Sequence, residues 1–354
     1  MPTFSKSTQQ AITLTEKELT PHWNSTVNAY RQAMAGIDSE LQKVYAKYLS
    51  SADPADYYNI MIQYDRLTKL QKAVGAEYQA AAIKAGKETA VSSQLAMTNT
   101  FYRNQYNITW VQPEAMSFVF IDPDFVSAAV TGTEASWRAI KDKDVYGNPQ
   151  QYLRPSGTLS EMLRKNRDTD LRRLNETIVA GLRQGKSYSA MVSDVRDIIG
   201  RERVRDGVRQ LTGSKYNAMR ILRTEGTRTL NDGFLAALND AQNQGVDVQK
   251  VWDATLDMKT RSSHGSADGQ VADLDGLFNV NGATGTGPGN LSRAGENINC
   301  RCSLGTKIPG IDDGLRVGIN PATGEREVIN YTTFDTWAAD NGLRRNRAGV
   351  LVQS

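Results

Sequence analysis

Cys300 and Cys302 flank Arg301 and are the only cysteines in 354 residues. One such pair is no disulfide framework. A bridge across a single residue would strain disulfide geometry, and the thiols fit a reducing compartment. On a short strand over 298–304, positions i and i+2 would face the same way. As thiolates they could then hold one soft ion such as zinc. Asp257 and His264 are available to complete a four-ligand set with Cys300 and Cys302. Against metal stand the missing second Cys pair, the rarity of Asp in structural zinc sites, and the use of buried cysteines as small hydrophobes. His264 is one of two histidines, the other being His22. Beside Asp257, Arg261 and Asp268 it could transfer protons. It could equally be a hydrogen-bonding hub where buried polar groups need partners, which is the favoured reading.

A second constellation lies upstream. Arg223-Thr224-Glu225 sits in a helical pattern, with Asn231 two turns on. Arg223 and Asn231, eight apart, share a face, whereas Arg223 and Glu225 do not. If the chain is an enzyme, its site is Arg223, Glu225, Asp257 and His264 with the two cysteines, working as a metal-assisted hydrolase or a group transferase. No phosphate-binding loop, nucleophile elbow or dinucleotide fingerprint is present. The expectation is therefore no enzyme.

Charge is uneven along the chain. Residues 154–228 hold 17 basic against 9 acidic residues, a net +8, between segments of −1 and −4. Arg164, Lys165, Arg167, Arg172, Arg173, Arg201, Arg203, Arg205 and Arg209 carry this excess and are the candidate contacts to DNA phosphates. Aromatic residues are sparse there, so single-strand stacking would add little. Weak, sequence-independent duplex binding is the expectation. An acidic protein partner, or plain solvated helix faces, would use the same charges.

The elements that must position these groups form an α+β chain, with a mostly helical N-terminal region followed by a small mixed α+β C-terminal domain. Residues 1–155 read as helical, 156–215 as a basic helical segment, and 216–354 as the mixed domain with a C-terminal tail. Asp53-Pro54 is a helix-start signal. The stripe Tyr57, Ile60, Met61, Tyr64, Leu67, Leu70, Val74 and Tyr78 follows it at helical spacing. Leu41, Val44, Tyr45, Tyr48 and Leu49 form a shorter stripe, and the two predict an antiparallel pair joined near 50–53. From 99 to 155, prolines, glycines and tryptophans predict a junction of short helices without a rigid core of its own. Helices are predicted over 159–185, 187–200 and 216–244, and a strand around Trp252. Gly, Asn, Asp and Ser then dominate to 299. The polar N-terminus lacks a signal core, and no apolar run approaches a membrane span.

Taken in order, Arg223-Thr224-Glu225, Trp252-Asp253-Ala254, Asp257, Thr260, Arg261, His264 and Asn299-Cys300-Arg301-Cys302 resemble the Mu F-like minor head protein family of tailed phages. The family pattern of an R-T-E helix, a W-x-A-x-x-D-x-x-T-R-x-x-H core and a terminal N-C-R-C is filled at every position, strongest over 216–310. The resemblance implies a virion protein of head morphogenesis, inside the head near the portal, made in the host cytoplasm during assembly. It implies the portal protein, a scaffold or major capsid protein and double-stranded DNA as partners, no membrane, and release with the DNA at ejection. Some chains of the family carry toxin domains; the expectation here is that none follows Ser354.

Overall fold

The computed structural model describes residues 4–49, 64–140, 145–154, 157–205, 208–311, 314–346 and 351–353. They form two compact units, each discontinuous in sequence. The helix start expected at Asp53-Pro54, and the stripe positions Tyr57, Ile60 and Met61, lie outside the described residues.

The first unit comprises 20–89 and 160–222. Its long helices are parts of α1 (Phe4–Leu49) and α2 (Tyr64–Val111). The expected stripe residues Leu41 and Tyr45 on α1, and Leu70, Val74 and Tyr78 on α2, are buried, and the same faces continue through Tyr30, Ala33 and Ile37 and through Ala81 and Ala85. Contacts run in opposite order along the two helices. Ser25 donates to Glu88 while Tyr30 meets Tyr78, so the pair is antiparallel as expected. Helices α5 (Leu159–Arg183) and α6 (Tyr188–Ile199) complete the core with Leu174, Ile178, Leu182, Met191, Val195 and Ile199. The intervening α3 (Pro123–Thr131) and α4 (Glu134–Ala139) belong to the second unit. Ser187 caps α6 through the Ala190 amide, as the sequence implies.

The segment expected to be a basic helical run contains a β-hairpin, β1 (Glu202–Arg205) with β2 (Val208–Leu211). Two glycines bracket it. Gly200 has φ +112, and a Cβ there would lie 2.0 Å from the Thr212 carbonyl oxygen. Gly213 has φ +57, and its Cβ would lie 2.4 Å from that of Ile198. No other residue allows both that conformation and that approach. Gly213 also opens α7 (Gly213–Asn243).

The second unit comprises 1–19, 90–159 and 223–354. Here the short helices expected over 99–155 are present, but the expectation that the stretch has no rigid core of its own is corrected. Helix α2 runs unbroken to Val111, and Phe125, Trp137, Tyr146 and Tyr152 pack ring against ring into a core. Hydrophobic periodicity misses this part of α2 because its buried face mixes polar Ser92, Ser93, Thr100, Asn104 and Gln105 with Ala96, Met97, Phe101 and Ile108. Gln105 donates to Asp240 at 2.8 Å and accepts from the Val119 amide at 3.1 Å, so burial leaves its amide satisfied. The second half of α7 is buried nearly all round, through Phe234, Leu235, Ala236, Ala237, Leu238 and Ala241.

The change of texture after Gly245 is real. A three-stranded antiparallel sheet follows, with β3 (Gln249–Asp253) at its centre. It is flanked by β4 (Val271–Ala272) and β7 (Ser303–Lys307), with Trp252 opposite Leu304. Short hairpins surround it: β5 (Phe278–Val280) with β6 (Ala283–Gly285), and β8 (Leu315–Ile319) with β9 (Arg326–Asn330). The remaining helices are single turns or little more: α8 (Ser262–Ser266), α9 (Ala294–Asn297) and α10 (Phe334–Asp340). Strands β10 (Leu343–Arg345) and β11 (Leu351–Gln353) pair near the C-terminus. The fold is α+β, helical first and mixed later. Among the described residues no helix is long and apolar enough to cross a membrane.

Candidate functional site

The motif residues converge at the end of β3 beside α7. Trp252 is fully buried and meets the His264 ring edge-on, 5.5 Å between centroids. His264 lies on α8, itself 2% exposed. Its Nδ1 is 3.4 Å from Cys302 Sγ and 3.5 Å from Cys300 Sγ. Its Nε2 is 3.0 Å from Glu296 Oε2 and 3.3 Å from the Arg261 guanidinium. Burial would raise the Glu296 carboxyl, but hydrogen bonds from Ser263 and Asn281, with His264 nearby, bring it below its ordinary value. It is therefore available as an acceptor for a proton on Nε2, and in that tautomer Nδ1 turns its lone pair to the two sulfurs.

The cysteines are not on a strand. They lie in the loop before β7, so the i, i+2 strand argument is corrected. What turns both inward is the loop itself. Asn299 takes φ +54, and the Cys300 amide donates to the Asn297 carbonyl at 3.1 Å. Helix α7 holds this loop from behind. Thr224 Oγ1 accepts from the Asn299 amide at 3.2 Å, and Thr227 donates to the Cys300 carbonyl at 2.9 Å. Asn231 Nδ2 lies 3.3 Å from the Cys302 carbonyl and 3.1 Å from that of Pro288, while its Oδ1 accepts from the Leu304 amide at 2.7 Å. Thr224 and Asn231 thus act on the backbone of the N-C-R-C segment. The two thiols differ. A hydrogen bond from Cys302 pulls Cys300 below its ordinary value, and the same bond, with burial, pushes Cys302 well above.

Asp257 lies outside the cluster formed by His264, Cys300 and Cys302. Its carboxylate pairs with Arg301 (2.9 Å to Nη2) and accepts from the Lys259 amide at 2.8 Å. Thr260 Oγ1 stands 2.5 Å from the Thr255 carbonyl and 3.1 Å from Asp257. These residues tie the β3–α8 turn to Arg301. Arg261 likewise reaches the carbonyls of Glu296 (2.8 Å) and Ile298. Among the described residues the His, Cys and acidic side chains that converge closely enough for one ion are His264, Cys300 and Cys302, all within 4.8 Å of one another.

Glu225 is buried between Arg154 (2.8 Å) and Arg228 (3.1 Å). Burial favours its neutral form, yet the two guanidiniums hold its carboxyl below the usual range. Arg228 also pairs with Asp232, which accepts from Asn290 at 2.6 Å. Arg223 lies on the exposed side of α7. Of the four candidate catalytic residues, His264 contacts both cysteines and Asp257 contacts Arg301 between them. Sequence reading missed Glu296, Arg154, Arg228 and Asp232. Arg228, three after Glu225 and four before Asp232, carried a signal in that helical ion-pair spacing. The predicted DNA contacts fall on α5 and the hairpin. Arg164, Lys165, Arg172, Arg173, Arg203, Arg205 and Arg209 are exposed, and Arg167 and Arg201 half-buried.

Residues 172–305 match the family described as Phage Mu protein F like protein. The chain is 26% identical over 325 residues to the NAD(+)--arginine ADP-ribosyltransferase EFV of Enterococcus faecalis, a match covering 92% of this chain and 58% of that protein. It is 24% identical over 339 residues to Minor head protein GP7 of Bacillus phage SPP1, covering 94% and 95%. An uncharacterized protein of Haemophilus influenzae is 29% identical over 116 residues, covering 32% of this chain and 22% of its own length. No solved structure matches. The resemblance read from the motifs is borne out: the match to the Phage Mu protein F like model over 172–305 takes in the R-T-E, W-x-A and N-C-R-C segments. The matched span starts well before the R-T-E segment and takes in α6 and the hairpin.

Proposed function

We propose that the chain is a minor head protein of a tailed phage, a virion component that sits inside the head near the portal and serves assembly and DNA packaging or ejection. The observation that carries this reading is the end-to-end correspondence with the SPP1 minor head protein, over 94% of one chain and 95% of the other. The side-chain chemistry supports it. Thr224, Thr227, Asn231, Asp257, Arg261 and Arg301 hold loops of a small domain together. The portal protein is the first partner, with scaffold or major capsid protein and non-specific duplex DNA beside it.

The ADP-ribosyltransferase name belongs to a relative of which this chain spans 58%. The rest of that protein lies outside the match. The test is to purify particles of the phage that encodes the chain and to look for it by mass spectrometry, alongside co-purification with its portal protein from partly assembled heads. The chain in DNA-filled particles at a few copies each, and captured with the portal, is the expected result. Its absence from particles, or transfer of ADP-ribose from NAD to an arginine acceptor by the purified chain, would overturn the reading.

A further inference from the structure

We infer that His264, Cys300 and Cys302 bind one thiophilic cation of the zinc class, with Glu296 as the carboxylate that orients the histidine. The geometry is that of a ligand set. Around a tetrahedral zinc, with Zn–S of about 2.3 Å and Zn–N of about 2.0–2.1 Å, the N···S edge is roughly 3.6 Å and the S···S edge roughly 3.8 Å. The observed N···S separations are 3.4 and 3.5 Å, and all three donor atoms lie within 4.8 Å of one another.

The surroundings match as well. A metal-ligating histidine donates its other N–H to a carboxylate or carbonyl, which fixes the tautomer and raises ligand basicity. Glu296 does this at 3.0 Å, and Ser263, donating to Glu296 Oε2 at 3.0 Å, holds it in turn. Imidazole with two thiolates is a soft N/S set, which selects zinc over magnesium or calcium. All three residues are buried, at 2–4% exposure, so the bound ion is shielded from competing water. Three protein ligands leave the fourth position to a water molecule. Binding releases the two thiol protons, since the cysteines ligate as thiolates.

The fold gives the ion work to do. Between β3 and β7 the chain has only strands of two or three residues and helices of four or five. A bond from α8 to the cysteine loop, 36 and 38 residues on, closes that stretch.

The test uses the full chain, reduced and stripped with a chelator, and titrated with cobalt(II). A thiolate-to-cobalt charge-transfer band saturating at one equivalent, and displaced by zinc, is expected. Cys300→Ser and Cys302→Ser should each abolish or strongly weaken it. Glu296→Gln should keep the band and weaken affinity roughly 10- to 100-fold. Should the serine variants misfold, the wild-type chain decides alone. Zinc should protect both thiols from alkylation, counted by intact mass, and chelation should expose them. No band at millimolar cobalt, or equal alkylation with and without zinc, overturns the site and leaves a hydrogen-bonded hub.

Discussion

Asn231 is a small side chain with a large share of the site's order. Its amide joins α7 to three stretches of loop and strand through Cys302, Pro288 and Leu304. Asn231→Ala leaves the Leu304 amide and two carbonyls without their partner inside the domain. The expected loss is about 1–3 kcal/mol, read from the urea midpoint; an unchanged midpoint would mean the loop is held by other means. Lys250 offers a pH test at the same scale. It is fully buried, donates to the Leu274 carbonyl at 3.0 Å and lies over the Phe278 ring. Burial lowers its pKa from 10.5 to about 8. The folded state therefore releases this proton before the unfolded state does. Between about pH 8 and 10.5 the unfolded chain binds more protons, so this group's contribution makes stability rise with pH. Lys250→Met should remove that rise relative to wild type, a difference on the order of 1–3 kcal/mol across the window. Parallel pH curves for the two proteins would contradict it. Both residues show what sequence could and could not give. Asn231 was legible because it falls in a spaced motif. Lys250 sits in an ordinary strand, and nothing in its neighbours announces that its ammonium is enclosed.

Elements were legible where burial is apolar and periodic. The stripes of α1, α2, α5 and α6 became the core of one unit because Leu, Ile, Val and Tyr recur at three and four residues. The second half of α2 was hidden, since its buried face mixes apolar residues with polar ones such as Gln105, whose partner Asp240 lies on α7. The hairpin was hidden by its charge. Arg203, Arg205 and Arg209 read as a basic helix, although Asp206-Gly207 is the dipeptide that two-residue hairpins favour. Glu296 lay in a Gly-rich stretch where no spacing links it to His264, and only the fold brings the two together. Close approach of elements is a further property that composition cannot show. A Cβ on Gly233 of α7 would lie 2.2 Å from the Met97 carbonyl of α2, backbone against side chain with nothing flexible to yield. A Cβ on Gly226 would lie 3.4 Å from Leu19 Cδ1. Alanine favours helix over glycine by about 1 kcal/mol. Gly226→Ala should therefore raise the melting temperature slightly. Gly233→Ala should lower it despite the same propensity gain, by an overpacking cost of about 1–3 kcal/mol. If both variants shift alike, the helices are not in backbone contact at Gly233.

At the scale of the whole molecule, charge is segregated by unit. The basic excess of 154–228 belongs largely to the helical unit, whereas the motif domain balances its charges internally through pairs such as Arg228–Asp232 and Arg301–Asp257. Not all nine predicted cations are equal. Arg201 is engaged with Asp197 and Ser193, and Arg209 with Glu202 at 3.0 Å. Arg167 pairs with Asp168. Exposed Arg203 and Arg205 stand on β1, their side chains separated by one residue and so on one face of the hairpin. Each phosphate contact contributes about 0.9 to the slope of log affinity against log salt on duplex DNA. Binding of random duplex to the purified chain should therefore weaken steeply with salt. The double variant Arg203→Glu/Arg205→Glu should lower the slope by about 2. Arg201→Glu should change it less, because its guanidinium is already held by Asp197. Fluorescence anisotropy at several salt concentrations measures all three slopes. No binding at low salt would remove DNA as a direct partner and leave these arginines to an acidic protein surface. A slope unmoved by the double variant would place the phosphate contacts on α5, where Arg164, Lys165, Arg172 and Arg173 are exposed.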